Sequence, residues 1–341
     1  MYWHGQFQSA FFEAWAKAGL PHHDEYLSEY NDALSQIHFK TTQSSHLQHE
    51  FPALDPKLLD SVYGFGVIIG NICANFLGLS SPATDKASDW CGRFNLGISL
   101  FDYICDESGG PGAVAVLPVF HPFIKEERPS AARPPNPVEE LLSNLASSVL
   151  GDLGKVCKSE LGAVRRTGLW KAMQGMFRAE MMVSELRPIA FADHHRIRKA
   201  LSLKSVEPFR VMAEWTALSA DLKENQILIK NARAIGRGLG NCYWLIDDAK
   251  DVWTDLNAGR WNLFLLLAAA QEPRLFERKP DALTDMHLMR IWKRSNLAQR
   301  VSEQVVSRLT RAVTNLHLPS KTQRDILGLV SVSLWQWLQT D

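Results

Sequence analysis

Apolar residues recur at three- and four-residue spacing through almost the whole chain: FQSAFFEAWAKAGL near the start, then 86–107, 138–159, 168–186, 206–220, 226–257, 285–316 and 321–338. Strand-type alternation is nearly absent. Such a period turns one stripe of each segment toward a core, so helices must carry the fold. A length of 341 residues admits two domains or one large helical one. No repeat or second linker divides the sequence, and the expectation is a single all-α bundle spanning 1–341. Glycine and proline gather between the periodic segments, most densely in ESGGPGAVAVLPVFHPFIKEERPSAARPPNPVEE, where 108–137 reads as a mobile loop.

Lysine plus arginine and aspartate plus glutamate number 37 each. No global field therefore favours nucleic acid or an anionic membrane, and whatever binds does so at a local site. The five cysteines are scattered without CxxC pairing, which argues against a disulfide framework or a zinc knuckle and makes a reducing cytoplasm the simplest setting. The N-terminus lacks the basic-then-apolar pattern of an export signal. SVYGFGVIIGNICANFLGLSS, 61–81, is long and uncharged enough to span a membrane. With Asn71, Asn75 and four glycines it reads instead as a helix buried in a bundle, so no integral membrane segment is expected. LPHHDEY and ADHHRIRK offer histidines but read as loop or helix-end residues, and neither a P-loop nor a serine nucleophile elbow is present.

Two acidic constellations stand out. In GISLFDYICDESGG, Asp102 and Asp106 are four apart and share a helix face, Glu107 follows, and Gly109, Gly110 and Pro111 end the helix. Carboxylates at a helix C-terminus add to its partial negative charge, so a cation is needed there. In LIDDAKDVWTDLNAGRWN, Asp247, Asp251 and Asp255 form a ladder at four-residue spacing with Asp248 beside it. Like charges so spaced repel, and burying them unpaired costs far more. Hard oxygen ligands in such numbers suit a hard divalent cation, Mg²⁺ above all where phosphate oxygens complete its shell. The two clusters lie about 145 residues apart, as ligands on facing helices of a bundle do.

These motifs resemble those of the class I isoprenoid synthases, the all-α superfamily of polyprenyl diphosphate synthases, terpene cyclases and squalene/phytoene synthases. RAIGRGLGNCYWLIDDAKDVWTD is similar to the second aspartate-rich region of polyprenyl synthases, with Asp247, Asp248 and Asp251 on DDxxD. One turn later, DVWTDLNAGRWNL is similar to the DxxxD-then-GR element of squalene/phytoene synthases, with Asp251 and Asp255 on its aspartates. DYICDE fits the first region as DxxxDE. Tyr103 replaces the second residue of the usual Asp-Asp pair. The Gly-Lys-Arg element that holds isopentenyl diphosphate and the Asn-Ser-Glu triad of many cyclases are missing.

The resemblance implies a bundle of the isoprenoid synthase type, a prenyl diphosphate substrate and Mg²⁺, three ions with substrate bound. Asp102, Asp106, Asp247 and Asp251 are the expected catalytic residues, and the metal set adds Glu107, Asp248 and Asp255. Lys250, Arg260 and Arg178 are expected on the diphosphate, ahead of Arg165 and Arg166. Phe101, Tyr103, Phe177, Trp215, Tyr243 and Trp244, with Phe94 nearby, are expected to line a dry pocket whose aromatic faces stabilise an allyl cation, and Glu180 to face it. The expected reaction is cyclisation of a linear prenyl diphosphate. Prenyl coupling of the squalene/phytoene or polyprenyl type and a non-catalytic scaffold are the alternatives, and a homodimer is an assembly the resemblance allows.

Overall fold

In a computed structural model of the chain the described residues are 2–35, 56–105, 117, 136–156, 160–185, 194–220, 226–273, 285–316 and 318–339. Among them are thirteen α-helices, one 3-10 turn (His23–Glu25) and no strand. The helices are α1 (Tyr2–Lys17), α2 (Leu27–Ser35), α3 (Pro56–Phe76), α4 (Ser81–Tyr103), α5 (Pro137–Val156), α6 (Glu160–Glu185) and α7 (His194–Ser205). There follow α8 (Glu207–Ser219), α9 (Gln226–Ala258), α10 (Leu263–Gln271), α11 (Asp285–Arg294), α12 (Leu297–Thr314) and α13 (Ser320–Gln339). Asp106, Glu107 and the expected mobile loop lie outside the described residues, apart from Leu117, Asn136 and Pro137.

Strong periodicity predicts α8, α9 and α13 to within a residue at each end. Segment 285–316, expected as one helix, is two. Asn296 breaks it in a left-handed conformation (φ 46°), which asparagine tolerates better than most residues. Each half keeps its own buried stripe, Leu288, Ile291 and Trp292 before the break and Val305, Val306 and Leu309 after it. Two further helices have no clear sequence period. In α7, HHRIRKALSLKS buries only Ile197, Ala200 and Leu201, a stripe too narrow to stand out. In α10, LFLLLAAAQ is apolar all round and buried, so no face is marked.

The 33-residue α9 runs through the middle of the bundle and packs against α7, α8, α10, α12 and α13. Glycine decides how closely. A Cβ at Gly236 would lie 2.5 Å from the Phe209 carbonyl oxygen, and one at Gly240 would lie 2.9 Å from that of Val206. This pair, one turn apart, lets α8 press against the backbone of α9. Across the same interface the fully buried Glu214 accepts a hydrogen bond from Arg233 Nε at 2.8 Å, and within α8 it accepts one from Arg210 Nη1 at 2.9 Å. A buried carboxylate without such partners would cost several kcal/mol.

Helix α3 is the one whose composition suits a membrane, over Lys57–Phe76, yet 61% of that apolar window is buried inside the fold. Its glycines serve packing. Cβ atoms at Gly66 and Gly70 would lie 2.5 Å from the Cys91 carbonyl oxygen and 2.7 Å from Ser88 Cα of α4.

Overpacking a backbone contact costs about 1–3 kcal/mol, whereas replacing an unobstructed helical glycine by alanine gains about 0.5–1 kcal/mol. Gly236→Ala is accordingly expected to lower the urea midpoint of unfolding. Gly151→Ala on α5, where nothing lies within 4 Å of the added Cβ, is expected to raise it.

Candidate active site

Asp102 is on the last turn of α4, just before a single π-type turn at Ile104 and Cys105. Its Oδ1 accepts a hydrogen bond from Lys204 Nζ at 2.9 Å, and the same ammonium reaches Glu180 Oε1 of α6 at 2.8 Å. Lys204 comes from the end of α7, a helix with no motif. It is the principal site residue that sequence reading missed, and its one signal is a lysine amid the apolar residues of ALSLKSVEPF. Asp102 is deep among protein atoms, yet 41% of its side chain is open to solvent, as for a residue lining a recess.

Burial works against ionising Asp102, but the Lys204 charge and hydrogen bonds from Glu180 and Lys204 outweigh it and hold the carboxyl below its ordinary value. Glu180 goes the other way. Burial, the Asp102 charge and a hydrogen bond to Asp102 push its carboxyl well up against the pull of Lys204. The two carboxyls thus titrate together, with proton binding favoured on Glu180 and ionisation favoured on Asp102. Burial also disfavours charge on Lys204, but Glu180 and Asp102 keep it protonated.

On α9 the four aspartates divide. Asp248 is buried, and its Oδ2 accepts from Trp244 Nε1 at 2.7 Å and from the Leu263 backbone N–H that opens α10. Its carboxylate, expected in the metal set from the DDxxD spacing, caps the start of α10. Asp247, Asp251 and Asp255 occupy the other face. Trp337 Nε1 of α13 donates to Asp247 Oδ1 at 3.3 Å, and Asn262 Nδ2 donates to Asp255 Oδ2 at 3.0 Å. Among the described residues no hydrogen-bond donor reaches Asp251. Asn262 also donates to the Asp248 carbonyl at 3.1 Å and caps α10 through Leu265 N–H at 3.0 Å.

The link between α9 and α10 explains the GR element. Gly259 adopts φ 69°, which glycine takes without steric cost, and closes α9 with Gly259 N–H on Leu256 O at 3.2 Å and Arg260 N–H on Asp255 O at 2.7 Å. The reversal carries exposed Arg260 back over the ladder, where its charge lowers the carboxyls of Asp102, Asp251 and Asp255 together. Lys250 lowers Asp251. Lys204 acts on both clusters, on Asp102 directly and on Asp247 and Asp255 through space. Arg178 is exposed and two positions from Glu180, roughly 200° round the helix, so the two do not share a face. Side chains of Arg165 and Arg166 lie outside the described residues.

The six aromatic residues expected in one pocket fall into separate packed groups. Phe101 meets Phe177 at 4.6 Å between α4 and α6, and Tyr103 closes α4 half-buried. Trp215 stacks on Trp90 at 4.4 Å, and Trp244 is tied to Asp248. Tyr243 stacks on Phe209 at 5.0 Å. A tight apolar crevice of about 20 Å³, room for little more than a water molecule, lies between α4, α5 and α6, lined by Phe94, Gly97, Ile98, Leu145, Met173 and Phe177. Phe94, Ile98 and Asp102 step by four along α4, so the crevice and the acid share a face.

Among the described residues, Asp247 and Asp251 present carboxylate oxygens with no protein donor, and Asp255 keeps one, which is donor chemistry that fits a hard divalent cation. His22, His23 and Asp24 also gather within 4.8 Å of one another. Their two imidazoles stack at 4.1 Å and 30°, so the in-plane lone pairs run side by side and do not converge on one ion.

Without metal, burial and the Asp251 charge push Asp247 up to about 7, and burial pushes Asp255 up to about 6 despite the Asn262 hydrogen bond. Both acids hold protons more tightly folded than unfolded. Folding therefore binds protons, and stability present below the ordinary carboxylate pKa of about 4 is lost as pH rises through 6 and 7. The metal-free protein is expected to have a higher Tm at pH 5 than at pH 7.5, with a smaller difference in Asp247→Asn. An equal slope in that variant would show that Asp247 does not carry the effect.

No protein-family model matches this sequence, and no curated protein is significantly similar to it. Solved structures are. A geranylgeranyl pyrophosphate synthase from Lactobacillus brevis aligns with 94% of this chain and 98% of its own at a TM-score of 0.59 and 17% identity. A geranylgeranyl pyrophosphate synthetase from Pyrococcus horikoshii aligns with 98% and 100% at 0.56 and 14% identity. A polyprenyl synthase from Caulobacter crescentus, solved with calcium and isoprenyl diphosphate, aligns with 91% and 94% at 0.51 and 17% identity. Over nearly its whole length, then, the chain has the all-α fold of the class I isoprenoid synthases.

Proposed function

We propose that the chain is an enzyme acting on a prenyl diphosphate, and that it transfers the prenyl group to a second isoprenoid. The observation that carries this reading is the convergence on Lys204, one ammonium bonded to Asp102 and Glu180 and within electrostatic reach of Asp247 and Asp255. Transfer takes precedence over the cyclisation expected from sequence because the similar structures are named as polyprenyl or geranylgeranyl pyrophosphate synthases. Cyclisation remains the second reading, on the observation that Tyr103 stands where polyprenyl synthases carry an aspartate.

The arrangement suits an amphiphile with a charged head and a greasy tail. The head would lie among Lys204, Arg260 and Lys250, whose charges suit diphosphate oxygens. The tail would run from Asp102 along Ile98 and Phe94 toward the tight crevice between α4, α5 and α6, whose side chains must part to admit it. Asp102, Asp247, Asp251 and Asp255 are the residues that would hold Mg²⁺, which when bound neutralises charge gathering on the leaving diphosphate. As the allylic carbon–oxygen bond breaks, its electron pair leaves with the diphosphate. Phe101 and Phe177 then keep water from the allyl cation until the double bond of the acceptor attacks it. The cation so formed on the acceptor loses a proton to the departed diphosphate, which restores a double bond. Lys204 and Arg260 hold the departing anion away from the carbon that lost it.

Purified protein with Mg²⁺ and allylic diphosphates of ten to twenty carbons, each with and without isopentenyl diphosphate, separates the readings. Transfer gives a diphosphate one isoprene unit longer and needs the acceptor. Cyclisation gives a hydrocarbon or alcohol of unchanged carbon number without it. No turnover of any substrate would sink both. In whichever reaction appears, Asp251→Asn is expected to lower kcat/KM by about 10²-fold or more while the circular dichroism stays helical.

A further inference from the structure

Helices α9 and α13 meet in a regular way. Tyr243 on α9 donates its hydroxyl to Ser333 Oγ on α13, and one turn later on both helices Trp337 Nε1 donates to Asp247 Oδ1. Each pair is separated by 90 residues, so the helices run parallel and their hydrogen bonds form successive rungs. The Trp337 ring is held besides. Phe65 of α3 lies against it at 4.9 Å, and Tyr243 meets it edge-on at 6.2 Å and 88°. Phe65 in turn meets Tyr243 at 5.0 Å and 86°. The indole N–H is therefore aimed at one oxygen of Asp247 by rings from two other helices. Oδ1 is occupied, and Oδ2 has no donor among the described residues.

We infer that Trp337 is a positioning residue: its indole N–H fixes the rotation of the Asp247 carboxylate so that Oδ2 faces the space shared with Asp251 and Asp255. The inference rests on reading Asp247 as a ligand of the divalent cation. A carboxylate free to rotate presents its oxygens in many directions and must be ordered when the cation arrives. One already held by a fixed donor gives up less freedom. Outer partners of this kind set metal affinity, and their loss commonly weakens it about 10–100-fold. Nothing in the acidic motifs marks Trp337, since it lies far along the chain in SVSLWQWLQT with no charged neighbour before Asp341.

The test is Mn²⁺ binding to the full chain by electron paramagnetic resonance, without substrate, so that turnover does not enter. Trp337→Phe keeps a ring against Phe65 and removes the N–H, and Ser333→Ala removes the neighbouring rung without touching Asp247. Trp337→Phe is expected to weaken Mn²⁺ binding about tenfold or more, Ser333→Ala to leave it within twofold, and Asp247→Asn to weaken it at least as much as Trp337→Phe. Should Trp337→Phe fail to fold, benzothienylalanine at position 337, an indole isostere with sulfur in place of N–H, makes the same deletion with the shape retained. Wild-type affinity without the N–H, alongside loss in Asp247→Asn, overturns the role of Trp337 and leaves the cation site standing. Unchanged binding in Asp247→Asn overturns the cation site and the inference with it.

Discussion

Carboxyl groups stacked along a buried helix repel one another, and much of what surrounds α9 answers that repulsion. On an exposed helix such a pair costs only a few tenths of a kcal/mol. Inside a protein the loss of water dominates, and each ion costs several kcal/mol unless it is paired. The fold uses three remedies. Asp248 turns away and accepts the Trp244 indole N–H and the Leu263 backbone N–H at the start of α10. Asp247 and Asp255 accept neutral donors and hold protons near neutral pH. Lys204 supplies a half-buried positive charge that both acidic clusters feel. A divalent cation would be a fourth remedy, and the most complete, because it neutralises two or more carboxylates without asking any to keep a proton.

What the sequence disclosed depends on whether a feature is local. Helical period is local, so α8, α9 and α13 could be bounded closely, and the DDxxD and DxxxD spacings located the ladder. The choice between Asp247 and Asp248 is not. Neighbouring aspartates look alike in a motif, and only the return of Asn262 and Leu263 from α10 decides which carboxylate turns inward to the fold. Lys204 was hidden for another reason. A short basic helix with three buried residues has no visible stripe, so nothing directed attention to its last turn.

The aromatic residues teach a related point. Rings beside a motif in sequence were expected to line one pocket, yet an α-helix distributes consecutive residues around its axis. Tyr243 and Trp244 consequently face different partners, Phe209 and Asp248. The four-residue step from Asp102 through Ile98 to Phe94, not read from the sequence, keeps one direction and leads to the crevice. The same logic separates Arg178 from Glu180.

The rungs between α9 and α13 carry a consequence for the order in which the molecule comes into being. A ribosome makes Asp247 ninety residues before Trp337, so the ladder of acids emerges well ahead of the helix that steadies one of them. Until α13 docks in parallel, Asp247 lacks its indole donor and Tyr243 lacks Ser333. The acidic face of α9 is thus completed from the far end of the described chain, and a nascent chain halted before α13 would carry the aspartates but not the environment that orients them.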